Sequence, residues 1–526
     1  MSVLENIEPK EVFDYFEAIA GIPHGSGNMT AISDYLAGFA VEHGFRYIQD
    51  ELKNVIIFKP ATPGYEDRPA VILQGHMDMV CEKEADCDID MAKEPIRLLC
   101  DGKTVTADGT TLGGDDGIAV AYMLAILASD DIAHPELEAV FTVDEEIGML
   151  GAAALDMSVL KGKKLLNIDS EDEGIFLCGC AGGATVVGCV PFSAETDIGS
   201  LDGDTVGRDE EQNDGIASGK QDVYRIKIDG LTSGHSGIEI DKGRANAIIL
   251  LGRLLEKLDA AYDIGIIGMS GGGRDNVIPA SAEAVIAVDD RDIQPVIKDC
   301  EKVFKNEYSI TDPGLSVSIE IVDDNTLTVM DSTSKERIIN LLRALPNGVQ
   351  RMNPAMPDRV QTSLNIGILK TVINSNCNCN SNAKNDDEKI VNKSDNISGN
   401  YIEVSFLVRS DVKSEKQELA DRVARIISMC GGSSEIVGDY PGWQFTGVSE
   451  LIDIMSAAFK EQYGYEPKVE TVHAGVECGY FAEAIEGLDV VSFGPDLKGI
   501  HTPAETMDVE SVRRTWKLIT DTLKAC

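Results

Sequence analysis

Apolar residues recur along this chain with two periods, and the switching between them outlines its layers. After Pro9, the residues Val12, Phe13, Phe16, Ile19 and Ala20 fall on one face at helical spacing, and proline suits a first helical turn. A second helical stretch runs from Asn28, as its N-cap, to Gly44 past its end, with Ile32, Tyr35, Leu36 and Phe39 apolar. Short apolar runs of strand length follow (NVIIF, AVILQG, AVFTV and LLNID), with the helical stretch GIAVAYMLAILAS among them. Continuous apolar strands alternating with helices predict an α/β layer whose strands are mostly buried.

The pattern changes after Gly183. YRIKI and LSVSIEI alternate cleanly, as in a sheet with one solvated face, and the amphipathic stretches RANAIILLGRLLEKL and SKERIINLLRAL accompany them. This predicts an α+β insert with an antiparallel sheet. Near Tyr440 the chain returns to the first layer and ends in the strand DVVSFGP and a helix. The expected organisation is therefore a first domain of residues 1–184 and 441–526, interrupted by an inserted domain of residues 185–440. Two segments lack any periodicity: the acidic, Gly-rich 195–220 and the Asn-rich 374–400, both expected to be disordered excursions.

Charge narrows the function. With 46 Lys+Arg against 89 Asp+Glu, the formal net charge is −43. Nucleic acids and anionic membrane faces call for a basic surface, so neither is an expected partner. No apolar run approaches the roughly 18 residues of a membrane span, and the N-terminus has no signal-peptide pattern. The 12 cysteines are scattered, which fits reduced thiols in a cytoplasmic protein. Asp86–Asp90 begins like a calcium loop but has Met91 and Arg97 where glycine and glutamate are needed.

Candidate chemistry collects where apolar strands end. His76 and Asp78 follow VILQG; Asp115 and Asp116 sit between glycines in LGGDDG; Asp144, Glu145 and Glu146 follow the strand AVFTV; Asp169 ends LLNID; His501 follows VVSFGP in GPDLKGIHTPAE. Each alone reads as an ordinary polar loop. Acids this close repel unless a positive charge compensates them. Two imidazoles and several carboxylates form the donor set for a pair of divalent metals, and mixed imidazole–carboxylate ligation suits zinc, with manganese or cobalt as alternatives.

The ordered set HMDMV, LGGDDG, TVDEEIG, NIDSEDEG and GIHTPAE resembles the M20 metallopeptidases. IPHGSGN, GHSG, GRANA, YPGW and HAGVECG make it similar to their aminoacyl-histidine dipeptidase branch, over nearly the whole chain except the two aperiodic segments. The resemblance implies a discontinuous two-metal α/β catalytic domain with a mixed sheet, and an inserted α+β lid. It implies that His76 and Asp169 bind the first metal, Glu146 and His501 the second, and that Asp115 bridges them with a cis peptide to Asp116. Asp78 would support His76, and Glu145 would be the general base. His235 in LTSGHSG resembles the lid histidine that stabilises the oxyanion, and Arg409 resembles the arginine that grips the substrate carboxylate. Asn276 is a candidate for assisting them.

The implied activity is hydrolysis of unblocked dipeptides, Xaa-His and β-Ala-His included. The rivals are a related aminoacylase or aminopeptidase on the same metals, or a catalytically silent peptide-binding protein. Relatives are commonly dimers joined through the lid, so a homodimer is expected by resemblance, and His235 acting in its own site or a partner's stays open. His473 and Glu477 of HAGVECG match the branch signature without a chemical role, as does His24. His43 and His134 read as surface or helix-end residues.

Overall fold

The computed structural model describes residues 3–195, 221–289, 291–322, 328–373 and 399–526. The expectations of disorder for 195–220 and 374–400 fall almost wholly on residues outside these. The chain divides into two compact units, Met1–Gly182 with Tyr440–Cys526, and Gly183–Asp439.

The first unit is built on an eight-stranded mixed sheet. Its order is Arg46–Gln49, Val55–Lys59, Leu137–Thr142, Val71–His76, Lys164–Asn167, Asp489–Ser492, Ile175–Cys180 and Lys468–Val472. Leu137–Thr142, Val71–His76 and Lys164–Asn167 run parallel at its centre, with His76 opposite Thr142 and Gln74 opposite Asn167. Val55–Lys59, Val71–His76 and Leu137–Thr142 are buried along their whole length, which accounts for runs that read as continuously apolar rather than alternating.

The helix Gly114–Ala128 packs against strand Val71–His76 and against helix Lys10–Ala20. It is apolar on every face, so it has no solvent side, and Ile118–Leu127 is buried throughout. Tyr122, its largest residue, donates its hydroxyl to the Val512 carbonyl at 2.8 Å and stacks beside Trp516, which ties the C-terminal helix Val509–Ala525 to the core. Gly75 allows the close approach of helix and strand: a Cβ there would lie 2.6 Å from both the Ala119 Cβ and Asp116 Oδ2.

The second unit holds a sheet whose ladders from Ser316–Ile321 through Gln221–Asp229, Ala282–Asp289, Gly265–Gly272 and Val360–Val372 to Tyr401–Ser410 are antiparallel. Helix Ala247–Tyr262 packs on this sheet, capped by Asn246, whose side chain accepts from the N–H groups of Ile248 and Ile249. Alternation sorts the strands as expected: Ile226 and Ile228 enter the large core, while Val223 joins a smaller cluster with Ile267, Ala287 and Val329.

Two local expectations are corrected. The second helix runs Thr30–Glu42 with Met29 at its N-cap, because the Asn28 side chain is drawn to the Ala92 carbonyl instead. His134 is fully buried, its Nδ1 2.6 Å from the Pro135 carbonyl, because the segment before Leu137 packs inward. No helix among the described residues is long and apolar enough to cross a membrane.

Gly75→Ala should force the helix off the strand and lower stability by about 1–3 kcal/mol, the usual range for overpacking. Chemical denaturation monitored by tryptophan fluorescence measures this, and an unchanged midpoint would contradict the packing described.

Candidate active site

Parallel strands bring their C-terminal ends to one edge of the sheet, and in α/β folds ligands bind there. Strand Val71–His76 ends in His76, strand Leu137–Thr142 leads to Asp144–Glu146, and strand Lys164–Asn167 leads to Asp169. Asp115 and Asp116 enter from the start of helix Gly114–Ala128, where both depart from helical backbone angles and are joined by a cis peptide bond. His501 comes from the loop between Leu497–Lys498 and Thr506–Asp508, with φ 60°.

Asp115 divides its carboxylate between the two histidines. Its Oδ1 lies 3.1 Å from His76 Nε2, and its Oδ2 lies 3.2 Å from His501 Nε2. Asp169 Oδ1 stands 3.4 Å from His76 Nε2, and Glu146 Oε1 stands 3.0 Å from His501 Nε2. Asp115, Glu146 and His501 form a compact donor triad; His76 forms others with Asp116 and Asp169 and with Glu145 and Glu146. The structure thus gathers His76, Asp115, Glu145, Glu146, Asp169 and His501 at one place.

Asp78 sits behind this cluster, fully buried. Its carboxylate accepts from the backbone N–H of Glu145 at 3.0 Å, that of Glu146 at 3.4 Å, and the Ser26 hydroxyl at 2.8 Å. The nearer partner of His76 Nδ1 is the Asp78 backbone carbonyl at 3.0 Å, with the carboxylate at 3.4 Å. Asp78 therefore fixes the His76 ring chiefly through its main chain, and its side chain positions the glutamates.

Glu505 carries no expected role, yet it organises the aspartate turn. Almost wholly buried, it accepts from four backbone N–H groups: Leu112 at 2.7 Å and Gly113 at 3.2 Å on Oε2, Gly114 at 2.8 Å and Asp115 at 3.3 Å on Oε1. It caps the helix start from a distant part of the chain and links the turn bearing Asp115 to the loop bearing His501. Its signal was the last letter of HTPAE, which says nothing of a partner 390 residues earlier.

Electrostatics within the protein's own charge set follow this crowding. Burial opposes charge on His76, but Asp169, Asp115 and Asp78 hold it well above the ordinary histidine value. Hydrogen bonds to Asp115 and Glu146 raise His501 to about 10. Burial pushes Glu145 well above the usual glutamate range; Asp169, Glu477 and Glu146 add to the rise against the pull of His76. Burial works upward on Asp115 too, but its bonds to both histidines carry it far below the carboxylate range.

The other candidates lie in the second unit. His235 Nδ1 accepts from the backbone N–H groups of Gly237 and Ile238, each at 3.1 Å. With its Nδ1 lone pair so engaged, the neutral ring carries its hydrogen on Nε2 and is a donor there. The loop is braced by Glu239, which accepts from the His235 N–H at 2.9 Å and from Arg244 at 2.7 Å. The Asn276 carbonyl accepts from Ser236 N at 2.8 Å, which places Asn276 beside the same loop. Arg409 is 5% exposed on strand Tyr401–Ser410, close enough for its charge to bear on His235. Burial lowers His235 below its usual value, Arg409 lowers it further, and Glu239 partly opposes.

A mixed sheet whose parallel strand ends gather carboxylates and a histidine, joined by a second histidine from a loop, is one architecture of metallohydrolases. This chain belongs to peptidase family M20/M25/M40, whose profile matches residues 72–525. It is thereby a peptide-bond hydrolase by family, as the sequence resemblance implied. It is 33% identical to the cytosol non-specific dipeptidase of Escherichia coli K12 over 100% of this chain and 99% of that protein. The crystal structure of aminoacylhistidine dipeptidase from Vibrio alginolyticus superposes with a TM-score of 0.86 at 32% identity, covering 99% of this chain and 98% of that one. Aminopeptidase PepT from Bacillus cereus shares the fold with a TM-score of 0.51 at 15% identity, over 98% of each chain.

His235 yields a pH prediction. Its native value lies below the roughly 6.5 of an unperturbed histidine, so the unfolded chain takes up the proton first. The ring therefore favours the folded state above that pH, and this contribution is lost as pH falls. Nitrogen-15 NMR of histidine-labelled protein at pH 6.5 should show His235 mainly neutral with hydrogen on Nε2; a mainly protonated ring would contradict the geometry.

Proposed function

We propose that this chain is a metal-dependent dipeptidase that cleaves unblocked dipeptides, Xaa-His among them, in the cytoplasm. The observation that carries the reading is the division of the Asp115 carboxylate between His76 and His501, each with a further carboxylate beside it. Two cations on either side of one bridging aspartate would fit those donors: His76 and Asp169 with one, Glu146 and His501 with the other. Imidazole and carboxylate donors suit zinc first, and manganese or cobalt as substitutes. A bound pair supplies Lewis acidity toward the peptide carbonyl and brings the pKa of a water toward neutrality.

The chain's own residues supply the rest. Glu145, held by Asp78 through its backbone N–H and raised by burial, is suited to take a proton from the attacking water at its carboxylate. The same carboxyl then returns the proton to the leaving amine. His235 donates its Nε2 hydrogen to the carbonyl oxygen as negative charge develops. Arg409 holds the substrate's terminal carboxylate, for which its planar fork is suited, and Asn276 assists in orienting the substrate.

The substrate class and compartment draw on the relatives: one is named a cytosol non-specific dipeptidase and another an aminoacylhistidine dipeptidase. The catalytic role falls to the first unit and the lid role to the second, and a homodimer through the second unit belongs to the same reading.

Glu145→Gln should lower kcat by about 10²–10⁴-fold, the range for a general base, while calorimetry shows divalent-metal binding retained. Full activity in that variant would remove Glu145 from this role. Glu505→Gln should weaken metal binding by about 10–100-fold, because an amide group would face backbone donors that now find an acceptor. Affinity equal to the unaltered protein would contradict it. The reading as a whole is tested by hydrolysis of β-Ala-His against acetylated amino acids, with and without chelator. Chelator-sensitive cleavage of the dipeptide alone is expected; turnover of only the acetylated compounds would assign an aminoacylase instead.

A further inference from the structure

Glu477, at the N-cap of the short helix Cys478–Ala484, is completely buried and takes no part in the steps above. Its Oε2 accepts hydrogen bonds from Gln74 Nε2 and from the Thr142 hydroxyl, each at 2.6 Å. Gln74 Nε2 also reaches Thr142 Oγ1 at 3.2 Å, and Gln74 Oε1 accepts from Asn167 Nδ2 at 2.6 Å. Gln74, Thr142 and Asn167 have no exposed surface.

These three residues sit on the three central parallel strands, each just ahead of a candidate functional group. Gln74 is two residues before His76, Thr142 three before Glu145, and Asn167 two before Asp169. Their register also aligns them, with Gln74 opposite Asn167 and Thr142 opposite His76. A single carboxylate from a distant segment thus bonds two of these strands directly and reaches the third through Gln74.

A structural cross-link could be made with an amide or a hydroxyl, whereas burying an ionised carboxylate is costly unless nearby charge offsets it. Glu477 Oε1 has no hydrogen-bond partner among the described residues, so local bonds satisfy only half of the group. Burial pushes the carboxyl up to about 7, with His76 and the Thr142 bond pulling downward and Asp169 and Asp78 pushing upward. Its charge is felt by the same residues that gather around Asp115.

We infer that Glu477 is a positioning residue: it ties together the strand ends bearing His76, Glu145 and Asp169, and its negative charge helps hold the cation pair. The inference rests on the dimetal reading proposed above.

Glu477→Gln removes the charge but can keep an acceptor oxygen toward Gln74 and Thr142. Thr142→Val deletes one of the bonds at nearly constant shape. Mn²⁺ is titrated calorimetrically into chelator-treated full-length protein, and kcat and KM are measured for a dipeptide at saturating metal. Glu477→Gln should bind Mn²⁺ about 10–100-fold more weakly and lose about tenfold or more in kcat, the range seen when groups that orient metal ligands are changed. Its KM should stay within about twofold, because the residue orients the site without touching substrate. Thr142→Val should move the same readouts in the same direction by less.

Unchanged Mn²⁺ affinity and kcat in Glu477→Gln overturns the inference, and so does a loss confined to melting temperature. If Glu477→Gln fails to fold, unaltered affinity and kcat in Thr142→Val overturns it. If the unaltered protein binds Mn²⁺ but cleaves no dipeptide, the substrate reading fails while the affinity comparison still decides on Glu477. If it binds no divalent ion, both fall together.

Discussion

The arrangement depends on one carboxylate serving two histidines. Asp115 places an oxygen on each of His76 and His501, and further acids close both sides. Carboxylates packed this tightly repel one another, and burial raises the cost of every uncompensated charge. Within the protein alone, the two imidazoles supply the compensation, which is why both are driven well above their ordinary values. In the proposed reading a pair of dications takes over that task.

Most of the first unit can be understood as holding Asp115 and its neighbours in place. The apolar helix Gly114–Ala128 sets the depth of the aspartate turn, and Gly75 lets that helix close on the central strand. Glu505 gathers four backbone N–H groups at the turn, and Asp78 gathers those of the two glutamates. Both carboxylates act here as acceptors for oriented backbone; burial still raises Glu505 despite those bonds, while Asp78 also has the His76 ring beside it and is held below the usual carboxylate range. In the second unit the same device appears with a different outcome: backbone N–H groups engage His235 Nδ1 and leave Nε2 as the donor.

Local patterns made much of this legible. Continuous apolar runs marked the buried strands Val55–Lys59, Val71–His76 and Leu137–Thr142, and alternation marked Gln221–Asp229, because burial on two faces or one writes directly into residue order. His76, Glu145, Glu146 and Asp169 stood at the ends of strands that run parallel, so their convergence followed from a shared sheet edge, whereas Asp115 arrives from a helix start and His501 from a separate loop. Long-range partnerships were not legible. Asn28 looked like an N-cap but bonds the Ala92 carbonyl, and His134 looked like a surface residue but is buried. Glu505 and Glu477 stood in quoted motifs, but their partners lie hundreds of residues away, and Gln74 and Thr142 look like ordinary polar positions until the strands are in register.

Among the described acids, a small group meets at Asp115. Anomalous diffraction at the zinc edge, from crystals of the protein grown with zinc, tests that meeting point most directly. Two peaks about 3.5–4 Å apart on either side of Asp115 are expected, one beside His76 and Asp169 and the other beside His501 and Glu146. A single peak, or peaks away from Asp115, would contradict the account.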